Sequence, residues 1–351
     1  MSEIFNELLK QVRHRDNSFK VLNDTKINVP TIKFDKFIPQ THLGKTPKEW
    51  VMCEGWFLRS MYEKLRHHPD NNYVTCMDNL VYDKEFGYDD LDMTKVSCIL
   101  KKADSGTSYD ISTEMIASRI ANLFGVKTQY VAPVGSASDK CICVDFLSGK
   151  QTMDNYYEFT GVNYLPAFTY ERGDSPIRTW VENLNRALNE KLAHLSTEVR
   201  QEVVDRVLTG FIQQYLFKKY IIRDGDPAGV NYSFVHEKED LSDLDISPLY
   251  DMQYAFSKDK FRSQFYGMND DIEYLANMYG PQLDQIIERF GSPDFAKVKS
   301  IVYPLCPYAY QRELRYSTIK SGFKELISCY KGVKASIAKR DGLPETSDFN
   351  M

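Results

Sequence analysis

The stretch Arg223-Asp224-Gly225-Asp226-Pro227-Ala228-Gly229-Val230-Asn231-Tyr232-Ser233-Phe234, running on to Leu249-Tyr250-Asp251-Met252, decides how this chain is read. An apolar segment ends at Ile222, a loop rich in Asp and Gly follows, and Asn231 opens a short apolar strand. Asp226 stands five residues before Asn231, and Asp251 comes twenty residues after it. A lone Asp-x-x-x-x-Asn is more often an Asx-rich turn leading into a hairpin. The later Asp at the end of an apolar run makes that reading less comfortable, because three hard oxygen donors then share one region.

Further toward the N-terminus, Val96-Ser97-Cys98-Ile99-Leu100-Lys101 ends an apolar strand pattern in a lysine. Glu114 begins the helical pattern Ile111-Ser112-Thr113-Glu114-Met115-Ile116-Ala117. Singly, Lys101 reads as a solvated strand end and Glu114 as a helix-start acid favoured by the macrodipole. In order, however, the chain offers a strand lysine, an acidic helix, an Asp-x-x-x-x-Asn loop and a later Asp. Phosphoryl transfer needs a carboxylate near the acceptor hydroxyl, oxygen ligands for magnesium, and a cation over the nucleotide phosphates. Asp226, Asn231, Asp251 and Lys101 can supply these, with Glu114 steadying the lysine.

The residues Ile99-Leu100-Lys101, Ser112 to Ala121 ending at Phe124-Gly125-Val126, Asp226 to Phe234, and Ser247-Pro248-Leu249-Tyr250-Asp251 resemble the HipA-like kinases. The resemblance covers roughly Val96 to Phe256. It implies an α+β, two-lobed protein-kinase-like fold akin to the phosphatidylinositol kinases, with a mixed α/β N-lobe and a mainly helical C-lobe. It also implies an ATP- and magnesium-dependent serine/threonine protein kinase. Carried over by position, Lys101 contacts the nucleotide phosphates, Asp226 orients or deprotonates the acceptor hydroxyl, and Asn231 and Asp251 hold magnesium. Val144-Asp145-Phe146-Leu147 resembles the hinge whose backbone meets adenine, and Glu114 is the least strictly placed of the set. The family often works beside a small DNA-binding antitoxin, and in some relatives a loop serine is autophosphorylated.

Two departures accompany the resemblance. The histidine usual two residues after the catalytic Asp is Ala228 here, and Leu80 to Lys95, where a phosphate-covering loop is expected, offers only Gly87 among many acids. Acidic side chains there would repel phosphate. Asp104-Ser105-Gly106-Thr107-Ser108 either folds over the nucleotide or is an exposed turn. Two alternatives stay open: a lipid or small-molecule kinase of the same fold, and a pseudokinase that uses the cleft to bind a partner.

The remaining pattern sets the frame. At 351 residues the chain exceeds one usual core, which predicts an N-terminal lobe over 1–148, with a helical N-terminal extension, and a helical lobe over 149–351. Pro47 to Arg66 reads as an amphipathic helix carrying Trp50, Cys53, Trp56, Phe57, Met61 and Leu65. Strands are expected at Tyr73 to Met77, Val96 to Lys101, Thr128 to Val134 and Cys141 to Leu147. Helices are expected over Ser175 to Leu195, from an N-cap at Ser196, and over Ile272 to Phe290, Phe295 to Tyr303 and Tyr308 to Ile337. The last residues, from Pro344, read as loose.

The net charge of −5 and pI near 5.8 lack the positive field that drives contact with nucleic acid or anionic lipid. No signal-peptide core or apolar run of membrane length occurs, so a cytoplasmic protein is expected. The seven cysteines show no C-x-x-C pair and read as reduced, mostly buried thiols. Cys141 and Cys143 fall on one strand face, and the histidines show no ligand spacing.

Overall fold

The computed structural model describes residues 18–22, 26–33, 48–54, 72–74, 95–102, 111–133, 140–147, 151–162, 176–225, 229–252, 254–256, 267–306 and 308–342. Strands crowd the first part of the chain and helices the rest, so the fold is mixed α+β.

Among the described residues, one antiparallel sheet is built from β1 (Ser18–Leu22), β2 (Lys26–Lys33), β3 (Lys48–Glu54), β5 (Lys95–Lys102), β8 (Lys140–Val144) and β7 (Val131–Pro133), in the order β1-β2-β3-β5-β8-β7. β5 is central, paired with β3 through Lys101↔Lys48 and with β8 through Lys101↔Cys141. β3 replaces the first part of the helix expected over Pro47 to Arg66. Trp50-Val51-Met52-Cys53 is an unbroken apolar run, which fits either period, and seven paired positions along β5 settle it as strand. Residues 55–66 of that expected helix lie outside the described residues. The described part of the expected helical N-terminal extension is likewise strand, because β1, β2 and β3 pair in sequence.

β4 (Tyr73–Val74) and β6 (Thr128–Gln129) form a short parallel pair. A second antiparallel sheet orders β11 (Asp245–Ile246), β10 (Ser233–His236) and β9 (Thr152–Asn155). Helix α1 (Ile111–Leu123) packs on the large sheet, and α2 (Tyr156–Thr160) is a short turn with a full capping box, Asn155 and Glu158 exchanging bonds.

The helical part comprises α3 (Pro176–Lys191), α4 (Thr197–Leu216), α5 (Met268–Met278), α6 (Gly280–Phe290), α7 (Phe295–Leu305) and α8 (Ala309–Arg340). Ser196 caps α4 by accepting from Val199 N. The single helix expected over Ile272 to Phe290 is two helices. Pro281 has no N–H to continue the ladder of the preceding helix and sits instead in the first turn of the next, where that N–H would have no intrahelical partner, and the chain breaks at Tyr279 with φ −136°. One buried apolar cluster runs from Ile99 and α1 through α4 to Leu326 and Tyr330 of α8. Phe124, fully buried, sits in it edge-on to Phe290 and Phe323 and tilted against Phe217.

Candidate active site

β5 carries Lys101 into the interior, where the side chain is only 3% exposed. A buried ammonium needs partners, since its desolvation costs several kcal/mol. Two carboxylates supply them: Glu114 Oε1 at 2.5 Å and Asp251 Oδ1 at 2.9 Å. Glu114 lies in the first turn of α1, as the sequence suggests, yet it is buried and aims at the lysine. The macrodipole preference and the ion pair therefore act on one side chain.

The first turn of α1 is held from far down the chain. Arg315 of α8 donates to Ser112 Oγ at 2.7 Å and to Thr113 Oγ1 at 3.1 Å. Ser118, one turn on, donates to Gln129 O at 2.6 Å. Arg315 is a site residue that pattern reasoning missed, because nothing near it in sequence marks its target.

Asp251 follows Leu249, which bridges Thr128 in parallel. Its φ is +53°, a left-handed conformation that Asp tolerates better than most residues. Tyr250 beside it donates to Val230 O at 2.9 Å, and its hydroxyl lies 2.6 Å from Ser233 Oγ. The Asp251 segment is thereby laid against the turn that carries Asn231. Burial raises the Tyr250 phenol, so it stays protonated and able to donate.

Asn231 ends a 3-10 turn, Gly229–Asn231, and is 6% exposed. The turn is pinned on three sides. Gly229 N donates to the Tyr157 hydroxyl at 3.1 Å, Tyr250 holds Val230, and Lys218 Nζ donates to Asn231 O at 3.2 Å. A Cβ at Gly229 would lie 2.6 Å from the Tyr157 ring, so the position admits only glycine without movement. Asp226 and Ala228 lie outside the described residues, as do 80–94 and 104–108, the stretches considered for a phosphate-covering loop.

The stem before that loop is irregular. α4 runs into a π-helical segment, Phe217–Ile221, with Ile222 N bonding to Phe217 O. Such segments recur at functional sites. Arg223 has φ +52°, and Gly225 N donates to Tyr254 O while Phe256 N donates to Ile222 O. Those two bonds join the stem to the segment following Asp251. Gly322 of α8 touches the π segment so closely that a Cβ there would stand 2.1 Å from Tyr220 O.

Val144, Asp145, Phe146 and Leu147 stand at the end of β8. Val144 N donates to Tyr130 O and Val144 O accepts from Gln129 Nε2, both at 2.9 Å. Leu147 N donates to Asp145 Oδ1. Phe146 lies 5.7 Å from the Tyr250 ring, which brings this segment beside Asp251. An adenine contact by Val144 N–H would thus require breaking an existing bond.

Glu114, Cys141 and Cys143 place three possible metal-ligand atoms within 4.8 Å of one another. The donor set fits a metal poorly. The Cys143 thiol is raised by its hydrogen bond with Cys141, by burial and by Glu114, which keeps it protonated, and Glu114 already faces Lys101. Cys98, Cys141, Cys143, Cys306 and Cys329 are free thiols. Among the described residues no helix is long and apolar enough to cross a membrane.

No protein-family profile matches the chain, and no curated protein matches it. Several solved structures are similar, two of them as follows, at low identity. The Helicobacter pylori proinflammatory kinase CtkA shares 12% identity at a TM-score of 0.47, over 68% of this chain and 88% of that one. HipA of Shewanella oneidensis MR-1, solved with HipB and its operator DNA, shares 15% at a TM-score of 0.45, over 68% of this chain and 60% of that one.

Proposed function

We propose that the chain is an ATP-dependent phosphotransferase of two-lobed, kinase-like organisation that phosphorylates serine or threonine hydroxyls on protein. The observation that carries the reading is the buried Lys101 ammonium between Glu114 and Asp251, at 2.5 and 2.9 Å. A lysine so held has a fixed position and a charge that nucleotide phosphates can share. Asn231 and Asp251 offer an amide and a carboxylate oxygen, a hard donor pair that fits magnesium. Bound there, the ion would neutralise charge on the phosphates.

In this reading the acceptor hydroxyl gives its proton to Asp226 as its oxygen bonds the γ-phosphorus. The bond from that phosphorus to the bridging oxygen breaks, and ADP leaves. Val230, beside Asn231, is 50% exposed, so the turn meets solvent on one side. That supports an acceptor as large as a protein over one enclosed in a pocket.

Asp226→Ala and Asp251→Ala should each abolish phosphate incorporation from radiolabelled ATP while circular dichroism stays that of the parent. If both variants label themselves or a generic protein as fast as the parent, the proposal fails. A second reading, a binding module without turnover, is favoured by the internally bonded Val144 N–H. Calorimetric titration with ATP and magnesium separates the two: a kinase should show magnesium-dependent binding, and its absence favours a module that holds a partner in the cleft.

A further inference from the structure

The π segment carries two adjacent buried lysines, and their partners divide. Lys219 Nζ bonds Asp271 Oδ2 at 2.7 Å and the Tyr215 hydroxyl at 3.0 Å, joining α5 to α4. Tyr220 donates to the same carboxylate oxygen at 2.6 Å. Those bonds hold α4, the π segment and α5 together, and each of them joins residues outside 222–232.

Lys218 is different. Its ammonium, 0% exposed, lies 3.2 Å from Asn231 O, 3.7 Å from Asp224 Oδ2 and 4.8 Å from the centre of the Tyr232 ring. Asp224 is two residues before Asp226 and Asn231 five after it. The charge is thus spent on the two ends of one loop. Its backbone takes part as well, since Asp224 N donates to Lys218 O at 2.8 Å.

Burying an ammonium is costly where an apolar side chain of similar length would pack as well. What the ammonium adds is direction. One donor meets the carbonyl of the residue whose side chain would face magnesium, and the same charge attracts the carboxylate that leads into Asp226. The ring of Tyr232 closes the third side through its negative face.

We infer that Lys218 is a positioning residue that clamps the Asp224 and Asn231 ends of the loop at one separation, setting where Asn231 presents its side-chain oxygen. The inference rests on the proposed function for its catalytic consequence, whereas the clamp itself is a statement about the loop. Removing the lysine alone would leave Asp224 buried and charged, so the informative variant is Lys218→Met/Asp224→Asn, which removes both charges and keeps the interior neutral. Lys219→Met/Asp271→Asn serves as the matched control.

Two readouts are taken on each folded variant. Backbone hydrogen exchange over 222–232 should speed at least tenfold in the Lys218 pair and stay at the parent rate in the Lys219 pair, judged against peptides of α3 and α8. Phosphate transfer should fall at least tenfold in kcat with Mg-ATP affinity within twofold of the parent, and Lys218→Arg should recover part of the loss. A Lys218 pair that folds with parent-level loop protection overturns the clamp. Loop loosening with kcat intact overturns its catalytic role. A parent with no phosphate transfer sinks the proposed function, and the exchange readout still decides the clamp.

Discussion

Single side chains carry sharp consequences at this site. Lys101→Met removes a charge that faces both Glu114 and Asp251, and Glu114 is fully buried. The expected loss is about 3 to 5 kcal/mol of stability, read from urea unfolding, with transfer abolished. Gly229→Ala drives a methyl into the Tyr157 ring, so turnover should fall while the stability read from urea unfolding drops by about 1 kcal/mol or less. Tyr157→Phe, losing the bond from Gly229 N, should show a milder form of the same effect.

Cys329 is a separate residue-scale case. Burial and the nearby Asp271 carboxylate push its thiol up from 9.0 to about 11. The folded state then keeps a proton that the unfolded state releases. The stabilising contribution is complete below pH 9 and is lost as pH rises toward 11. Alkylation of Cys329 in the native protein should keep accelerating between pH 9 and 11, where that of the urea-unfolded chain levels off.

Elements differ in how far local sequence determined them. α1, α3, α4, α7 and α8 were legible, because each shows apolar residues at three and four, and Ser196 marks its N-cap as expected. β3 was not, since its apolar run has no period of its own and only pairing with β5 decides it. Lys101, Glu114, Asp251 and Asn231 could be found from order and residue type. Arg315, Tyr157 and Lys218 could not, because each acts on a partner between 13 and 203 residues away and none lies in a motif, and Tyr250, though inside one, bonds a carbonyl 20 residues back that the motif does not mark. At this scale α8 is the decisive buttress. Gly322→Ala would put a methyl 2.1 Å from Tyr220 O, with an expected cost of about 3 kcal/mol and a visible change in exchange at the π segment. Phe124→Ala, emptying a site among Phe217, Phe290 and Phe323, should cost about 3 to 5 kcal/mol by the same unfolding assay.

For the whole molecule, ligand linkage is the test that joins site to fold. Mg-ATP at about a hundred times its Kd should stabilise the folded chain by about 2.7 kcal/mol, seen as a rise in Tm of several degrees. ATP with EDTA should give a smaller rise, and Asp251→Asn should erase the difference between the two conditions. The strand-rich and helix-rich parts share one buried cluster, so a single cooperative transition is expected in the parent.

The reach of Arg315 to Ser112 spans 203 residues. During synthesis the first turn of α1 can be seated only after α8 has begun to emerge from the ribosome. Nascent chains halted before Arg315 would therefore lack one anchor of the turn that carries Glu114, so the ion pair at the centre is expected to be fully braced only late in synthesis.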